Sequence, residues 1–440
     1  MMSAGVIRGN SIPWEAMKTP IPFYLQKILD GVHDHDSGEV ADYIPELASA
    51  NPDQLGVALC SVTGHLYSAG DAENRFTIQS ISKPFVYALA LSELGLDAVR
   101  DVVGLEPSGQ AFNELSLAKD HRPVNPMINA GAIVVNQLIN GVDSSVEDRV
   151  EKIRAFISQL AGREVDVDKR LCDSELEHAE RNLSLAHMLR SYGIIQDDAH
   201  DAVLSYTSQC ALSVDVRDLS VMTATLANGG RQPVTGEKIL DADVCRMTLA
   251  VMSSCGMYDG AGRWMTEVGI PAKSGVSGGL IGTLPGQIGV ATFSPRLDEQ
   301  GNSVRGTAIF RELSSDMGLH LMSTENRFGV HPVRSVDEDE ETAIIRLQGH
   351  INFTATEAIL HELEERQFSG KRLALDFSQV SGLHKVGRRM LKEGLRRLRE
   401  EDNEVALVDD DGLVTDRAMS DGTVLPLADK EDYVIAGEEV

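Results

Sequence analysis

The sequence predicts an α+β protein in which a long first domain precedes a small α/β domain, and three observations support this. Strand patterns open and close the first 330 residues, while helical patterns fill the middle of that stretch. Five consecutive acidic residues follow at 337–341. After them, strand and helix patterns alternate over about 70 residues, which is typical of a small, mainly parallel sheet.

Composition excludes several classes of function. The 440 residues include 40 Lys and Arg against 67 Asp and Glu, which gives a formal net charge of −27. A chain with this charge repels phosphate groups. We therefore expect the protein neither to bind nucleic acid nor to lie on an anionic membrane. We find no secretory signal and no apolar run of about 18 residues, and we therefore expect a cytoplasmic protein without membrane spans. The five cysteines are scattered, which disfavours a zinc site or a disulfide framework.

The elements of the first domain follow from hydrophobic periodicity and turn residues. Two short strands form a predicted hairpin around Thr63 and Gly64, and two further strands are predicted near the end of the domain. Because strands lie at both ends, they can meet in one antiparallel sheet. The predicted strands are 56–60, 64–68, 286–293 and 304–310, and the predicted helices are 83–94, 129–140 and 218–228.

The acidic block predicts a boundary, because like charges repel one another and cannot be buried together. We therefore expect a first domain over 1–330, a solvated acidic linker over 331–341 and a second domain over 342–440. The second domain has a strand–helix–strand–helix–strand pattern. Its predicted elements are 343–347, 354–366, 372–377, 386–399 and 404–408.

One short pattern carries chemistry, namely Ser80 followed three residues later by Lys83. Residues three apart share one face of a helix, so the hydroxyl and the amine can meet. A serine becomes a nucleophile when a base takes its proton, and lysine can be that base if burial or a nearby cation lowers its pKa. Ser82 also carries a hydroxyl but faces away from this pair, and we expect it to be structural. Cys255 has no paired histidine, and we expect it to be a small buried residue.

A second pattern, Lys273-Ser274-Gly275, strengthens the first. In penicillin-recognising enzymes a Lys-Ser/Thr-Gly strand lies beside the active serine of a Ser-x-x-Lys motif. We expect this strand to present a cation and a hydroxyl to the substrate. The backbone N–H just beyond the glycine, that of Val276, would then be one oxyanion donor.

Several further segments carry a family resemblance. They are ADYIPEL (41–47), QSISKPF (79–85), EPSG (106–109), NPMINAGAI (125–133), LANGG (226–230), SCGMYDGAG (254–262) and AKSGVSGG (272–279). Together they resemble the serine-dependent glutaminases over about residues 15–320. The resemblance implies a β-lactamase-like fold, hydrolysis of L-glutamine to L-glutamate and ammonia, no metal or organic cofactor, and a homo-oligomer, either a dimer or a tetramer.

The resemblance also implies the site residues. Ser80 would be the nucleophile, Lys83 its base and Tyr258 the relay of a proton to ammonia. The oxyanion would lie between the N–H groups of Ser80 and Val276. The residues implied to bind the substrate are Tyr43, Ser80, Asn129, Glu175, Asn182, Tyr206, Tyr258 and Val276.

The second domain resembles a STAS domain, on the segment LALDFSQVSGLHKVGRRML (373–391). Regulatory members have a phosphorylated serine where the helix begins, whereas this chain has His384-Lys385-Val386-Gly387, so the acceptor is missing. The helix that follows is basic in an otherwise acidic chain. It is either a solvated face or a docking surface for an acidic protein partner, including another subunit.

Two other functions stay open at this point. The first is a β-lactam hydrolase or D-Ala peptidase with the same serine and lysine, which the lack of a signal peptide disfavours. The second is a non-catalytic sensor feeding the STAS-like domain. The intact Ser80, Lys83 and Lys273-Ser274-Gly275 disfavour the sensor.

Overall fold

The computed structural model describes residues 19–108, 117–323, 331–366 and 368–433. The chain divides into two compact units. The first unit is Pro22–Ser323, and the second includes the described residues from 331 onward. Among the described residues, no helix is both long and apolar enough to cross a membrane.

The first unit combines many helices with strands from both of its ends. Its described α-helices are α1 (Ile21–Val32), α2 (Pro45–Ala48), α3 (Ser82–Arg100), α4 (Asn129–Leu138), α5 (Val146–Ala161), α6 (Lys169–Glu177), α7 (Glu180–Ser191), α8 (Ala199–Cys210), α9 (Val216–Ala227), α10 (Ala242–Cys255), α11 (Ala261–Glu267) and α12 (Val304–Met317). Its described strands are β1 (Gly56–Ser61), β2 (Leu66–Gly70), β3 (Phe76–Thr77), β4 (Ser213–Val214), β5 (Ala272–Ser274), β6 (Gly279–Leu284) and β7 (Ile288–Phe293). Single 3₁₀ turns cover Gln79–Ile81 and Tyr258–Gly260.

The strands from the two ends of this unit form one antiparallel sheet, as predicted. Its order is β2-β1-β7-β6-β5. Every residue of β1, β6 and β7 is buried, and helix α9 packs across all three strands. Strands β3 and β4 pair separately as a two-stranded ribbon. Strand β3 is followed, after Ile78, by the turn that carries Ser80. The α+β architecture predicted for the first domain is confirmed.

One predicted strand is wrong, because residues 304–310 belong to helix α12. Ser303 caps this helix by accepting a hydrogen bond from the N–H of Gly306. Ile309, Leu313 and Met317 are fully buried along one face, with a helical spacing of about 3.6 residues. A seven-residue window covers two helical turns, which is too short to separate this period from strand alternation.

The second unit is a small α/β domain, as predicted. Its described elements are β8 (Val333–Glu338), β9 (Thr342–Ile351), α13 (Phe353–Arg366), β10 (Arg372–Leu383), α14 (Lys385–Glu400), β11 (Glu404–Val408) and a 3₁₀ turn at Lys430–Tyr433. The sheet order is β11-β10-β9-β8, in which β9, β10 and β11 are parallel. The crossovers through α13 and α14 account for this parallel arrangement.

The predicted acidic linker over 331–341 is wrong over the part that forms β8. This strand pairs antiparallel with β9 at the edge of the sheet. An edge strand keeps one side open to water, so acidic side chains are tolerated there. Two of the acids are also paired: Arg346 donates to Asp337, and the Nζ atom of Lys371 lies 3.2 Å from a carboxylate oxygen of Glu338. The charge block therefore belongs to the second domain itself.

Candidate active site

The centre of the site is the 3₁₀ turn Gln79–Ile81, which runs into helix α3. Ser80 lies in this turn and is 7% exposed, and Lys83 lies one turn later at 1% exposure. The backbone of Gln79 has φ +49°, in the left-handed region that residues other than glycine seldom adopt. Such a conformation costs on the order of 1–3 kcal/mol and is found most often at functional sites. The strained residue directly precedes Ser80.

The loop after β5 closes against this turn. A Cβ atom at Gly275 would lie 3.1 Å from the carbonyl oxygen of Ile78 and 3.4 Å from the Cβ of Gln79, so only a glycine permits this close approach without displacement. Ser277 then donates a 2.8 Å hydrogen bond to the carbonyl oxygen of Thr77. These two contacts hold Val276 next to the turn that carries Ser80.

Lys83 is buried and hydrogen-bonded to a residue of the site. Its Nζ atom donates a 2.7 Å hydrogen bond to Oδ1 of Asn129. The pKa of Lys83 is lowered to about 8, chiefly by burial; Lys273 adds to this shift, and Tyr258 and Cys210 oppose it. A substantial fraction of the amine is therefore neutral near pH 8.

The side chains of Lys273 and Ser274 point into the protein, whereas the sequence predicted that they would face the substrate. Both are fully buried, and neither lines the cavity described below. The Nζ atom of Lys273 lies 3.9 Å from the centre of the Tyr258 ring and donates to the carbonyl oxygen of Ser274. The hydroxyl of Ser274 donates to Oδ1 of Asn302 at 2.6 Å. Short strand β5 thus directs these polar groups into the protein, and the following loop is what reaches the site.

A cavity of about 270 Å³ opens beside Ser80. Most of the residues predicted from the sequence lie in its wall. Its lining residues are Tyr43, Gln79, Ser80, Asn129, Glu175, His178, Arg181, Asn182, Tyr206, Thr207, Cys210 and Val276. Of the predicted residues, Lys83 and Tyr258 are outside this lining. Lys83 contacts the lining residue Asn129, whereas the hydroxyl of Tyr258 donates to the carbonyl oxygen of Ser274 at 3.2 Å.

Amide and hydroxyl groups form one polar wall of the cavity. Nδ2 of Asn129 donates to Oδ1 of Asn182 at 3.1 Å. The hydroxyl of Tyr206 donates to Oδ1 of Asn129 at 3.3 Å, so this oxygen accepts from both Tyr206 and Lys83. The site therefore links Lys83 directly to groups that can contact a ligand.

A carboxylate forms the other wall. Oε1 of Glu175 accepts hydrogen bonds from the hydroxyl of Tyr43 at 2.9 Å and from Nε2 of Gln79 at 3.2 Å. Burial raises the pKa of Glu175, and both hydrogen bonds act against this rise. A cationic group of a ligand would complete the pairing of this carboxylate.

Five lining residues were not predicted from the sequence: Gln79, His178, Arg181, Thr207 and Cys210. Adjacency could have indicated Gln79, beside Ser80, and Arg181, beside Asn182. Helical spacing could have indicated Cys210, which lies four residues after Tyr206 on α8. We find no comparable sequence signal for His178 or Thr207.

A serine on a strained turn, a buried lysine one helical turn later and a strand loop closed over both have the arrangement of a Ser-x-x-Lys serine hydrolase. Comparison with known proteins defines the class further. The family model for glutaminase matches residues 38–322, and the model for the STAS domain matches residues 334–417. The chain belongs to the glutaminase family and has a C-terminal STAS domain.

Individual relatives agree with this assignment. The glutaminase of Corynebacterium glutamicum is 63% identical over 405 residues, which cover 92% of this chain and 98% of the relative. Glutaminase 2 of Bradyrhizobium diazoefficiens is 41% identical over 90% of this chain and 66% of its own length. The crystal structure of a protein designated Mglu aligns with a TM-score of 0.70 at 49% identity, over 90% of this chain and 99% of that one.

The enzymatic function follows from these likenesses. At 63% identity over nearly the whole chain, this protein is a glutaminase enzyme. The findings support neither a β-lactam hydrolase or D-Ala peptidase nor a non-catalytic sensor.

Proposed function

We propose that the chain hydrolyses the side-chain amide of L-glutamine through a γ-glutamyl ester on Ser80, with Lys83 as the base. The observation that carries this proposal is the shared cavity of about 270 Å³, which has Ser80 and Glu175 in its wall. A zwitterionic amino acid needs a carboxylate for its ammonium group and a nucleophile at its side-chain amide. The wall of this cavity provides both groups.

The binding roles follow from the carboxylate on one wall of the cavity and the amide and hydroxyl groups on the other. The carboxylate of Glu175 binds the substrate's ammonium group. The hydroxyl of Tyr43 holds the Glu175 carboxylate in place by its 2.9 Å hydrogen bond. Asn129, Asn182 and Tyr206 take the substrate's carboxylate group. Asn129 and Asn182 already bond to one another at 3.1 Å, which fixes the amide groups before a ligand arrives.

Acylation begins when neutral Lys83 removes the proton of the Ser80 hydroxyl, and the Ser80 oxygen attacks the amide carbon. Negative charge then develops on the amide oxygen. We assign the N–H groups of Ser80 and Val276 as its hydrogen-bond donors. The contacts of Gly275 and Ser277 with residues 77–79 support the nearness of these two N–H groups.

Breakdown of the intermediate requires a proton for departing ammonia. We assign Tyr258 to relay to it the proton that Lys83 took from Ser80, which returns Lys83 to its neutral form. The support is electrostatic: Tyr258 lies against Lys273 and influences the pKa of Lys83. Water, activated by Lys83, then hydrolyses the ester and releases L-glutamate. The assigned steps use side chains and backbone groups of this chain.

We predict strong selectivity between two amides. The protein should release ammonia from L-glutamine at least about 100-fold faster, in kcat/KM, than from L-asparagine, because the asparagine amide ends one methylene short of Ser80. Ammonia release from both amino acids at matched concentrations measures this ratio. Equal turnover of the two amides would contradict the assigned orientation of the substrate.

We predict that Glu175→Gln weakens substrate binding. Loss of the ionic partner of the ammonium group should raise KM by about 10- to 100-fold, since a hydrogen bond to a charged group contributes about 1.5–3 kcal/mol. Glu177→Gln is the matched control, because Glu177 is an exposed residue of the same helix α6 and does not line the cavity. An equal KM change in both variants would remove Glu175 from the binding site.

We predict that the first unit is catalytically sufficient, because every lining residue of the cavity lies within Pro22–Ser323. A chain that ends at Ser323 should keep kcat within about threefold of the full chain, which corresponds to less than 1 kcal/mol. The cut precedes β8, so it leaves no partial strand of the second sheet. A folded truncated protein without activity, as judged by circular dichroism and ammonia release, would overturn this expectation.

We further propose a homo-oligomer, a dimer or tetramer, and an acidic protein partner for the STAS domain. Helix α14 supports the partner, since it concentrates basic residues in a chain of net charge −27. Light scattering of the full and truncated chains tests the oligomer, and its repetition with an added acidic protein tests the partner of the STAS domain. We also propose a reducing, cytoplasmic location, which is supported by five buried cysteines that form no disulfide.

A further inference from the structure

A chain of hydrogen-bonded polar side chains runs through the interior of the first unit and ends at the turn that carries Ser80. We call it the buried polar chain, and its members are Ser82, Gln209, Asn136, Gln137, Arg149 and Asp197. Ser82 begins α3, Asn136 and Gln137 lie on α4, Arg149 on α5 and Gln209 on α8. The buried polar chain thus joins four helices.

The links at the active-site end are short. Oγ of Ser82 donates to the carbonyl oxygen of Gln79 at 2.7 Å. Nε2 of Gln209 donates to Oγ of Ser82 at 3.0 Å, and Nδ2 of Asn136 donates to Oε1 of Gln209 at 3.0 Å. Gln137 donates to Oδ1 of Asn136 at 3.2 Å, which extends the chain along α4.

The far end of the chain is ionic. Arg149, which is fully buried, donates to Oε1 of Gln137 at 3.4 Å and to Oδ2 of Asp197 at 2.7 Å. The side chain of Asp197 is 21% exposed, so the chain leads from the site to the edge of solvent.

The buried polar chain has a cost in free energy, because its side chains lose their contacts with water in the core. Ser82, Asn136 and Gln209 are at most 2% exposed, and each would lose water on folding. A buried polar group that lacks a partner costs about 1–3 kcal/mol, so an apolar core would be simpler to build. The links near Ser80 are all made, whereas Nη2 of Arg149 at the far end has no hydrogen-bond partner among the described residues. Hydrogen-bonded buried groups are held rigidly, and rigidity is useful where one geometry must be kept.

The geometry to be kept is that of the peptide between Gln79 and Ser80. A trans peptide is planar, with its carbonyl oxygen and its N–H on opposite sides. The Gln79 carbonyl and the Ser80 N–H belong to this same peptide. A hydrogen bond that fixes the carbonyl direction therefore fixes the N–H direction as well.

We propose that Ser82 and Gln209 are positioning residues that aim the N–H of Ser80 at the oxyanion. Ser82 holds the Gln79 carbonyl, and Gln209 holds the hydroxyl of Ser82 in the orientation that donates to it. The backbone N–H of Ser82 donates to the same carbonyl, so the hydroxyl adds a second hydrogen bond at a turn in which Gln79 has the strained φ of +49°. The inference rests on the proposed role of Ser80 as the nucleophile and oxyanion donor.

The test is a comparison of kcat and KM in Ser82→Ala, Gln209→Met and the double variant. An oxyanion donor acts mainly in the transition state, so we expect kcat to fall by about 10- to 100-fold while KM changes less than about threefold. Both residues act through the same hydrogen bond to the Gln79 carbonyl. The kcat of the double variant should therefore be little lower than that of the less active single variant. Either single variant suffices for the kcat–KM comparison if the other does not fold.

Thr225→Val is the matched control for a lost buried hydroxyl. Thr225 is fully buried on α9, and its Oγ1 donates to the carbonyl oxygen of Val221 at 3.0 Å, but it does not line the cavity. We expect its kcat to stay within about twofold of the parent at a comparable loss of thermal stability. An unchanged kcat in Ser82→Ala, or an equal fall in Thr225→Val, would overturn the positioning role.

Ser80→Ala, measured in the same series, distinguishes a failure of the proposed mechanism from a failure of the positioning inference. If Ser80→Ala is inactive and Ser82→Ala retains full kcat, Ser80 keeps its role and only the positioning inference fails. If Ser80→Ala keeps its turnover, the proposed mechanism itself is refuted.

Discussion

Ser80→Ala should lower kcat for L-glutamine by at least about 10⁴-fold while leaving the fold intact, since loss of a nucleophile removes the covalent route entirely. The side chain is 7% exposed and small, and its replacement removes only one oxygen atom. We therefore expect the melting temperature to change by no more than a few degrees, because this change opens no sizeable cavity. Ammonia release and thermal unfolding measure the two quantities separately.

Cys255→Ser is the control for this experiment. Cys255 is another candidate nucleophile by residue type, but it is buried, and its Sγ lies 3.7 Å from the carbonyl oxygen of Leu105. Burial raises the pKa of its thiol, so the reactive thiolate is disfavoured. Cys255→Ser should keep its activity. The reverse pattern, with Ser80→Ala active and Cys255→Ser inactive, would transfer the nucleophile role.

Replacement of Lys83 should have the second-largest effect. Lys83→Met should reduce kcat by about 10²- to 10⁴-fold, the range contributed by a positioned general base. Lys83→Arg is the informative companion, because it keeps a positive charge but cannot lose its proton near neutral pH. If Lys83 acts as a base, both variants are impaired to a similar degree. Activity in Lys83→Arg close to that of the parent would show that only the charge matters.

The same role predicts the pH dependence of the parent enzyme. The pKa of Lys83 is lowered to about 8, chiefly by burial, and only the neutral amine can accept the proton of Ser80. Below pH 8 the neutral fraction decreases about tenfold per pH unit, so kcat/KM should fall with that slope and level off above pH 8. A profile that stays flat from pH 6 to 8 would contradict the assignment of Lys83 as the base.

Local patterns in the sequence were sufficient to propose the nucleophile and its base, and most of the elements predicted from them are present in the structure. Ser80 and Lys83 were identifiable because one helical turn joins them, and the structure places both in a buried position next to a cavity. The alternation of the second domain was equally clear, and the predicted strand at 404–408 coincides with β11 (Glu404–Val408). These features depend on residues near one another in the chain, whose spacing is visible without a structure.

Long-range packing decided the features that were predicted wrongly. The acidic stretch at 337–341 suggested a linker, but pairing with β9 and the ion pair with Arg346 place its beginning in a sheet. Residues 304–310 alternate locally, yet burial against the sheet selects a helix. In both cases the stretch packs against residues that lie outside the short sequence segment from which the prediction was made.

The inward direction of Lys273 was likewise decided only by tertiary structure. Its motif predicted a cation for the substrate, whereas the Tyr258 ring and the Ser274 carbonyl receive its amine inside the protein. The strain at Gln79 and the buried polar chain behind it have no local signature either, because their partners come from α4 and α8. The sequence by itself determined which serine and lysine we propose as nucleophile and base, since local spacing brings them together. The tertiary structure decided which of the other polar groups face the substrate, because only packing between distant segments directs a side chain toward the cavity or into the core.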